Sequence, residues 1–441
     1  MITATRLRRI GGIAVPIVGG MVSQNVLTLV DTAMVGTLGE AALAAVSTAS
    51  FANFMVVALM TGLSSGVQAM AARRHGEGDH TASAFALNSG LVLAVGLGLP
   101  LAIVAWWLAP TLYPLIHDDP EVVEQAVPYL RARLFVVVAI GINFSFRGFW
   151  NAVDKSHLYM STLVVMHSAN IVLSYGLIFG VGGLPELGTL GAGVGTAAAT
   201  ALGSLFYIGL GWVHARDSGF LGHWPSLPEL GSLARLTLPS SIQQLMFAFG
   251  LTVLFAIIGT LGTSELAAAG VLINVSLVAF LPGLALGMAS ASLVGQALGQ
   301  GDADDAYRWG WDVSLVAVVL LGSLGLPMML VPDLLLSPFL HEAEPLAHAR
   351  PALQLVGATL AIEAVGLVLM QSLLGAGAAR QVMVVAVALQ WGFFLPLAYL
   401  VGPVLGGSLL QIWIAQAVQR GLQSMVFIGL WMRRDWARIH V

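Results

Sequence analysis

The chain of 441 residues has no cysteine, and only 9% of its residues are charged. The absence of cysteine excludes disulfides, thiolate metal sites and cysteine nucleophiles. So little charge excludes an ordinary soluble domain, in which about a quarter of the residues are charged. The net charge of -4 gives no indication of a nucleic-acid partner. Because 58% of the residues are hydrophobic, the composition is typical of an integral membrane protein.

Several motifs of enzyme chemistry are missing as well. The sequence contains no HExxH, no GxxxxGKS/T and no CxxC, so metal-dependent hydrolysis, nucleotide binding and redox chemistry have no support. The glycine-rich stretch GAGVG at 191-195 opens an apolar helix, where close helix packing explains it. We therefore expect a protein that is not an enzyme and that has no cofactor or resident metal.

Uncharged stretches long enough to cross a membrane recur along the whole chain. About 20 apolar residues in a helix span the roughly 30 Å hydrocarbon layer, and lipid cannot satisfy an irregular backbone. The basic N-terminus lacks a cleavage motif and continues into a long apolar stretch, which indicates an uncleaved first helix. Clusters of charge, glycine and proline divide the chain into twelve predicted helices. Their expected positions are 11-36, 44-72, 83-108, 125-151, 157-180, 190-213, 234-261, 266-298, 307-331, 347-375, 380-402 and 408-432.

The two halves of the chain share one sequence pattern. An ungapped shift of 223 residues places residues 16-79 over 239-302, with GTLG at 36-39 over GTLG at 259-262. Such a repeat predicts two copies of a six-helix unit. Because six is even, the copies are parallel repeats and enclose a central cleft. The predicted domains are an N-terminal half at 1-213, a cytoplasmic linker at 214-233 and a C-terminal half at 234-441.

The basic residues predict the orientation of these helices. Fourteen of the 18 lysines and arginines lie at the termini and in alternate connections, and only three lie on the opposite face. An excess of lysine and arginine marks the cytoplasmic side. We therefore expect both termini in the cytoplasm of a bacterial-type inner membrane, in a functional monomer surrounded by membrane lipid.

Three ionisable residues, Asp31, Glu363 and Arg420, remain well inside predicted helices. A charge at membrane depth costs about 2.5 to 3.5 kcal/mol on insertion scales, so each of them needs a partner, an aqueous cavity or a function. For Glu363 and Arg420 two interpretations stay open. They either form a buried ion pair that locks the second half, or Glu363 has a role in transport.

Asp31 shares a helix face with Gln24 and Thr28, at spacings of seven and three residues. That face is expected to look into the first half and away from lipid. Low dielectric disfavours the charged form of a carboxylate, so Asp31 can be expected to take up and release a proton near neutral pH. The alternative is an aspartate that is satisfied by helix-terminal amides near the outer surface.

A second polar face lies on the fifth predicted helix, where His167, Asn170 and Ser174 fall on one stripe. With the Asp31 face, this stripe predicts a polar pocket within the first half. A lone interior histidine is either a hydrogen-bonded structural residue or a proton carrier, and both interpretations stay open for His167.

The chain resembles the multidrug and toxic compound extrusion (MATE) family. The resemblance rests on Pro16 with VDTAMVGTLG at 30-39, on RRHGEGD at 73-79 and on LVGQALGQGD at 293-302. It extends over the whole chain, with twelve helices, two halves and a linker. Members of this family export organic cations and other drugs in exchange for protons or sodium ions.

The resemblance implies roles for particular residues. Asp31 matches the first-helix acid of the family, and Pro16 matches the proline associated with bending of that helix. Asn170 and Thr196 match polar residues on the fifth and sixth helices of the ion-binding pocket. Ser174 stands where DinF-like members commonly have an aspartate.

Two further positions relate the chain to the NorM-like branch. Glu363 aligns with the tenth-helix acid of that branch, whereas Gly250 stands where the branch has a seventh-helix glutamate. The chain thus combines features of both branches.

From the residues and the resemblance together we expect a proton-driven antiporter that exports small, cationic organic substrates by alternating access. Sodium coupling is a variant of this hypothesis, with Na+ held by oxygens of Asp31, Asn170, Ser174 and Thr196. A lipid or glycan-lipid flippase of related architecture is a second hypothesis, although it would need a more basic cavity for a diphosphate headgroup. A non-transporting membrane scaffold is a third, but it has no need for an intramembrane acid.

Overall fold

The computed structural model describes residues 2-79, 82-115, 117-340 and 342-439. These residues are almost entirely helical and contain no strand. The helices, with the short α11, are α1 (Ala4–Gly36), α2 (Glu40–Gly76), α3 (Phe85–Leu112), α4 (Pro120–Leu134), α5 (Val137–Ala152), α6 (Ser156–Phe179), α7 (Gly188–His214), α8 (Leu227–Gly259), α9 (Thr263–Gly299), α10 (Ala303–Leu330), α11 (Pro332–Leu336), α12 (Ala343–Gly375), α13 (Ala379–Val387), α14 (Leu395–Tyr399) and α15 (Leu409–Arg433).

Ten helical segments of the described chain are long and apolar enough to cross a membrane, and α4 with α5 forms an eleventh if this pair, bent by 48°, is one span. The last predicted helix corresponds to α15, which has 25 residues. Its glutamines and Arg420 make it less apolar than the others. The fold class expected from the sequence, an all-α polytopic membrane protein with two repeats, is confirmed.

One predicted helix is broken. No glycine or proline lies between residues 129 and 140, and we expected one helix at 125-151. The structure instead has α4 and α5, which meet at a bend of 48°. α4 begins earlier than expected, because Asp119 caps it by accepting a hydrogen bond from the Glu121 amide at 3.0 Å.

The eleventh predicted helix, at 380-402, is continuous but irregular. After α13 it widens into π-helical turns at Ala388–Phe394 and Leu400–Val404, on either side of α14. Pro396 and Pro403 lie in this segment. A proline has no amide hydrogen to donate to the preceding turn, so the prolines give a physical reason for the wider turns.

The chain forms two compact units. Unit N is Val15–Ser241, and unit C is Ile242–Val441 together with the first 14 residues. In unit N, α2 packs against α3, α4 and α5, and α6 packs against α7. In unit C, α12 packs against α9, α10 and α15. The unit boundaries fall inside α1 and α8, so each of these helices has residues in both units.

Glycines allow helices to approach closely in both units. A Cβ atom on Gly148 of α5 would meet the backbone of Ser64 on α2, and one on Gly325 of α10 would meet the backbone of Gly357 on α12. Small residues at helix contacts are typical of membrane bundles, because packing replaces the hydrophobic effect as the driving force.

The linker predicted at 214-233 is partly helical, since α8 begins at Leu227. Its remaining turns are held to α3 by the side chain of Asn88 and by the ring of Phe85, which lies 4.7 Å from that of His223. Asn88 Nδ2 donates to the carbonyls of Gly219 and His223, at 2.9 and 3.2 Å, and Asn88 Oδ1 accepts from the Leu221 amide at 3.0 Å.

Candidate functional site

Asp31 lies in the C-terminal part of α1, within unit N, and is half-buried. Its Oδ1 atom is buried and has no hydrogen-bond partner among the described residues. The guanidinium of Arg133, on α4, interacts electrostatically with the carboxylate, but the two side chains form no salt bridge within the described chain. A buried carboxylate oxygen without a partner is costly, and it is commonly satisfied by a proton, a cation or water.

The polar face of α1 is joined to α6 by His167, which is only 5% exposed. His167 Nδ1 lies 2.6 Å from Ser23 Oγ, and Nε2 lies 3.1 Å from Gln24 Oε1. Thr28, the third residue of the predicted face, donates to the Gln24 carbonyl of its own helix at 3.0 Å. His167 is therefore a hydrogen-bonded interior histidine, as one of the two interpretations from the sequence proposed.

Two glycines bring α1 close to α6 one turn before this joint. A Cβ atom on Gly19 would lie 3.0 Å from Met160 Sδ, and one on Gly20 would lie 2.7 Å from Leu163 Cδ1. Because these glycines have no side chain, the backbone of α1 lies directly against side chains of α6. This close approach places Ser23 and Gln24 within reach of the imidazole. The position of the polar face of α1 is therefore set by packing as well as by hydrogen bonds.

Asn170 and Ser174 lie further along α6, and each is 1% exposed. Ser174 Oγ donates to Asn170 Oδ1 at 3.3 Å. A Cβ atom on Gly195 of α7 would lie 2.6 Å from Ser174 Oγ, so α7 passes directly against this pair. Thr196 follows on α7, and its hydroxyl donates to the Ala192 carbonyl at 2.9 Å.

The structure therefore brings the predicted pocket residues together in part. Asn170 and Ser174 are bonded to each other, whereas no hydrogen bond within the described chain joins Asp31 to either of them or to Thr196. Sequence reasoning missed Ser23 and Arg133. Ser23 precedes Gln24 and lies off the three-and-four spacing used to define the face. Arg133, inside the helix predicted at 125-151, was counted only among the basic residues of the face opposite the cytoplasm.

In unit C, Glu363 lies on α12 and is 9% exposed. Its Oε1 accepts a hydrogen bond from Thr359 Oγ1 at 3.0 Å, one helical turn earlier. Arg420, on α15, lies 5.5 Å from the centre of the Phe280 ring. No salt bridge joins Glu363 and Arg420 in the described chain, so the buried ion pair considered from the sequence is not formed.

The surroundings of Gly250 explain why a side chain is absent there. A Cβ atom on Gly250 would collide with the side-chain amide of Gln390, in the first π-helical turn of the eleventh helix. Gln390 Nε2 donates to the Phe247 carbonyl at 3.4 Å, and Trp391 Nε1 donates to the Met246 carbonyl at 3.2 Å. The Gln390 amide thus occupies the space into which a side chain at position 250 would extend.

Two related halves of membrane-spanning helices, with the half-buried Asp31 in one and the buried Glu363 in the other, define a class of protein. This is a polytopic helical membrane protein of the kind that moves solutes. The pattern of the MatE family matches residues 16–176 and 239–400, which are corresponding parts of the two halves. The chain belongs to this family, the multidrug and toxic compound extrusion transporters.

Curated relatives cover nearly the whole chain. A multidrug resistance protein NorM from Burkholderia vietnamiensis is 30% identical over 435 residues, which are 95% of this chain and 92% of the relative. A probable multidrug resistance protein NorM from Rhizobium meliloti is 28% identical over 95% of this chain and 91% of the relative.

Solved structures have the same fold. An outward-facing multidrug resistance MATE family transporter of the MOP superfamily superimposes with a TM-score of 0.89, at 22% identity over 99% of this chain and 97% of the other. A MOP superfamily transporter from Pyrococcus furiosus superimposes with a TM-score of 0.88, also at 22% identity, over 99% and 97% of the two chains.

Proposed function

We propose that this protein exports drugs and other small organic cations across a bacterial inner membrane in exchange for protons. The relatives named above are multidrug resistance proteins, which supports efflux of drugs. The observation that carries proton coupling is the buried Oδ1 of Asp31, which has no partner among the described residues. Such an oxygen has a free position for a proton or a cationic substrate.

In the proposed cycle, Asp31 binds the cationic substrate when it is ionised and releases it when it is protonated from outside. A ligand shifts a conformational equilibrium only through its different affinities for the two states. Proton and substrate must therefore compete for this carboxylate or favour opposite conformers. Alternating access then opens Asp31 first to one side of the membrane and then to the other, for both proton and substrate. Both termini lie in the cytoplasm in this proposal.

The other predicted site residues have supporting roles in this proposal. Asn170, Ser174 and Thr196 line the α6–α7 side of the pocket, and Pro16 allows α1 to bend. Glu363, which accepts a hydrogen bond from Thr359, is the second ion-coupling carboxylate in this proposal. The protein needs no further cofactor in this cycle and is expected to work as a monomer.

Sodium coupling is the alternative within the same fold. It requires oxygens of Asp31, Asn170, Ser174 and Thr196 to converge on one cation. The hydroxyl of Thr196 instead bonds to its own helix, and Asp31 is bonded to none of the other three within the described chain. This arrangement favours a proton over a sodium ion. A lipid or glycan-lipid flippase remains the alternative substrate class.

The deciding experiment is efflux of a fluorescent organic cation from proteoliposomes, driven separately by a proton gradient and by a sodium gradient. The wild type is compared with Asp31→Asn and with the matched control Asp118→Asn, whose side chain is exposed in a connection. We expect the proton gradient alone to drive efflux, in the wild type and in the control but not in Asp31→Asn.

Other outcomes would redirect the proposal. Efflux driven by sodium alone would establish the sodium variant. Normal proton-driven efflux by Asp31→Asn would remove Asp31 from the coupling step and leave Glu363 as the candidate. If the wild type moves no organic cation but translocates a labelled lipid between leaflets, the flippase hypothesis replaces the drug exporter.

A further inference from the structure

The first turns of α1 are bound to α10 of unit C by Arg6. Arg6 Nη1 lies 2.5 Å from Asp305 Oδ1, and its Nε lies 2.6 Å from Asp312 Oδ2. The guanidinium lies 3.6 Å from the centre of the Trp309 ring, and Trp309 Nε1 donates to Asp305 Oδ2 at 2.7 Å. Two carboxylates and an aromatic face thus hold one partly buried cation, which is a strong arrangement for an arginine.

Apolar contacts reinforce this attachment. Ile10, Ile13 and Ala14, in the next turns of α1, are 1%, 2% and 4% exposed. Arg9 also donates a hydrogen bond to Gln296 of α9. The described part of the first 14 residues therefore belongs to unit C and buries three apolar side chains there, although the sequence repeat assigns this segment to the first half.

The corresponding helix of the second half, α8, is attached in the reverse sense. Its residues 227-241 belong to unit N. Glu229 Oε1 lies 3.8 Å from Arg74 Nη2 of α2, and Ser241 Oγ donates to the Leu59 carbonyl at 2.6 Å. Thr237, between them, is fully buried. Each half thus contributes the start of its first helix to the unit that contains most of the other half.

The repeat register shows that the two attachments have opposite charges. The shift of 223 residues places Arg6 over Glu229 and Pro16 over Pro239. A cation meets carboxylates in unit C, whereas a carboxylate meets Arg74 in unit N. If the two helix starts changed places, Arg6 would lie near Arg74, and Glu229 would lie near Asp305 and Asp312. Like charges would then repel each other, so the ion pairs favour the observed placement of each helix start.

The boundary between the units lies beside a proline in both helices. α1 changes unit between residues 14 and 15, next to Pro16, and α8 changes unit between residues 241 and 242, close to Pro239. A proline inside a helix removes one backbone hydrogen bond and crowds the preceding turn, so bending concentrates there.

We propose that α1 and α8 keep their first turns in these exchanged positions throughout the transport cycle, fixed by the Arg6 and Glu229 ion pairs, so that both helices bend at Pro16 and Pro239. This inference rests on the proposed function, since it concerns the conformational change of transport. Movement of unit C then acts directly on α1, which carries Asp31. Arg6 is a positioning residue in this arrangement, because it reaches Asp31 only through the helix.

Engineered thiols test whether the exchanged turns stay in place, and the absence of native cysteine means that only the introduced pairs react. One pair is Gly66→Cys with Thr237→Cys, because a Cβ atom on Gly66 would lie 2.5 Å from Thr237 Oγ1. The other is Arg9→Cys with Gln296→Cys, joined by a short bis-thiosulfonate. Proton-driven efflux is measured before and after crosslinking and again after reduction.

We expect both crosslinked proteins to transport at the rate of their reduced forms, because the exchanged turns do not separate. Efflux that is lost on crosslinking and regained on reduction would overturn the proposal, since it would show that these contacts must open. The reversal on reduction separates such a block from a variant that has simply failed to fold.

A second readout needs no transport. The rate of crosslinking in vesicles is compared with and without a proton gradient and an organic cation, and we expect equal rates. Slower crosslinking in the presence of the proton gradient and the organic cation would contradict the proposal that the first turns stay in their exchanged positions. This holds even for a variant that does not transport. Absence of proton-driven efflux in the wild type would instead count against the proposed function. The crosslinking rates would still show whether the first turns of α1 and α8 keep their exchanged positions.

Discussion

Among single residues, His167 has a role that can be tested apart from transport. The amide oxygen of Gln24 can only accept, so His167 Nε2 carries a proton and Nδ1 accepts from the Ser23 hydroxyl. His167→Ala removes the two hydrogen bonds that join α6 to α1, those with the half-buried Ser23 and the exposed Gln24. We expect a loss of about 1 to 3 kcal/mol in stability, measured as a lower Tm in detergent.

The matched control is His157→Ala, on the exposed side of the same helix. It should leave the Tm unchanged, because the exposed ring forms no comparable hydrogen bonds with the described residues. Equal changes in Tm for the two substitutions would show that the hydrogen bonds between His167 and α1 contribute nothing measurable to stability.

The sequence was a good guide to the chemistry of these residues and a poor guide to their partners. Membrane depth alone marked Asp31 and Glu363, since a charge there needs a reason. The sequence suggested Arg420 as the partner of Glu363, whereas the structure shows Thr359, one turn away on the same helix. Whether Arg420 can reach Glu363 depends on how α12 and α15 pack, and the sequence does not determine that packing. Arg133 was missed because it lies near the start of the helix predicted at 125-151, so it was counted with the charges of the outer face and not with those inside the helices.

At the scale of helices, Gly195 controls the contact between α6 and α7. A Cβ atom there would lie 2.6 Å from Ser174 Oγ and 2.7 Å from Ser174 Cα, and the backbone cannot move aside easily. Gly195→Ala should therefore cost about 1 to 3 kcal/mol by overpacking, measured by thermal unfolding in detergent.

Gly209 on the same helix provides the control, because a Cβ atom there would meet no atom of the described residues within 4 Å. Gly209→Ala should raise stability by up to about 1 kcal/mol through helix propensity. A rise in stability for both substitutions would mean that α6 and α7 have room to separate.

Most helices could be predicted because apolar length and the repeat are local properties of the sequence. The break between α4 and α5 could not, since no proline or glycine lies at residues 135-136 and the bend depends on what the two helices pack against. The exchange of helix starts could not be predicted either, because Arg6 and Asp305 are separated by 299 residues.

At the scale of the whole molecule, the number of protons exchanged per cation determines how transport responds to voltage. One proton exchanged for one monovalent cation moves no net charge. Two protons per cation add about 2.3 kcal/mol of driving force per 100 mV. The proposed cycle couples export at both Asp31 and Glu363, and no salt bridge in the described chain holds Glu363 to Arg420, so we expect export of a monovalent cation to produce a current in proteoliposomes.

Glu363→Gln should abolish that current and leave a slower, electroneutral exchange through Asp31. Glu344→Gln, an exposed position at the start of the same helix, serves as the control and should keep the current. A current that survives Glu363→Gln would exclude Glu363 as the second proton site.

The contact between Gly250 and Gln390 also restricts how this sequence can diverge. A glutamate introduced at position 250 would displace the Gln390 amide from the Phe247 carbonyl. Conversely, replacing Gln390 alone with a shorter residue would leave a cavity next to Gly250, which has no side chain to fill it. The two positions therefore form an epistatic pair, and a lineage that gains or loses the acid at 250 is expected to change residue 390 in the same evolutionary interval.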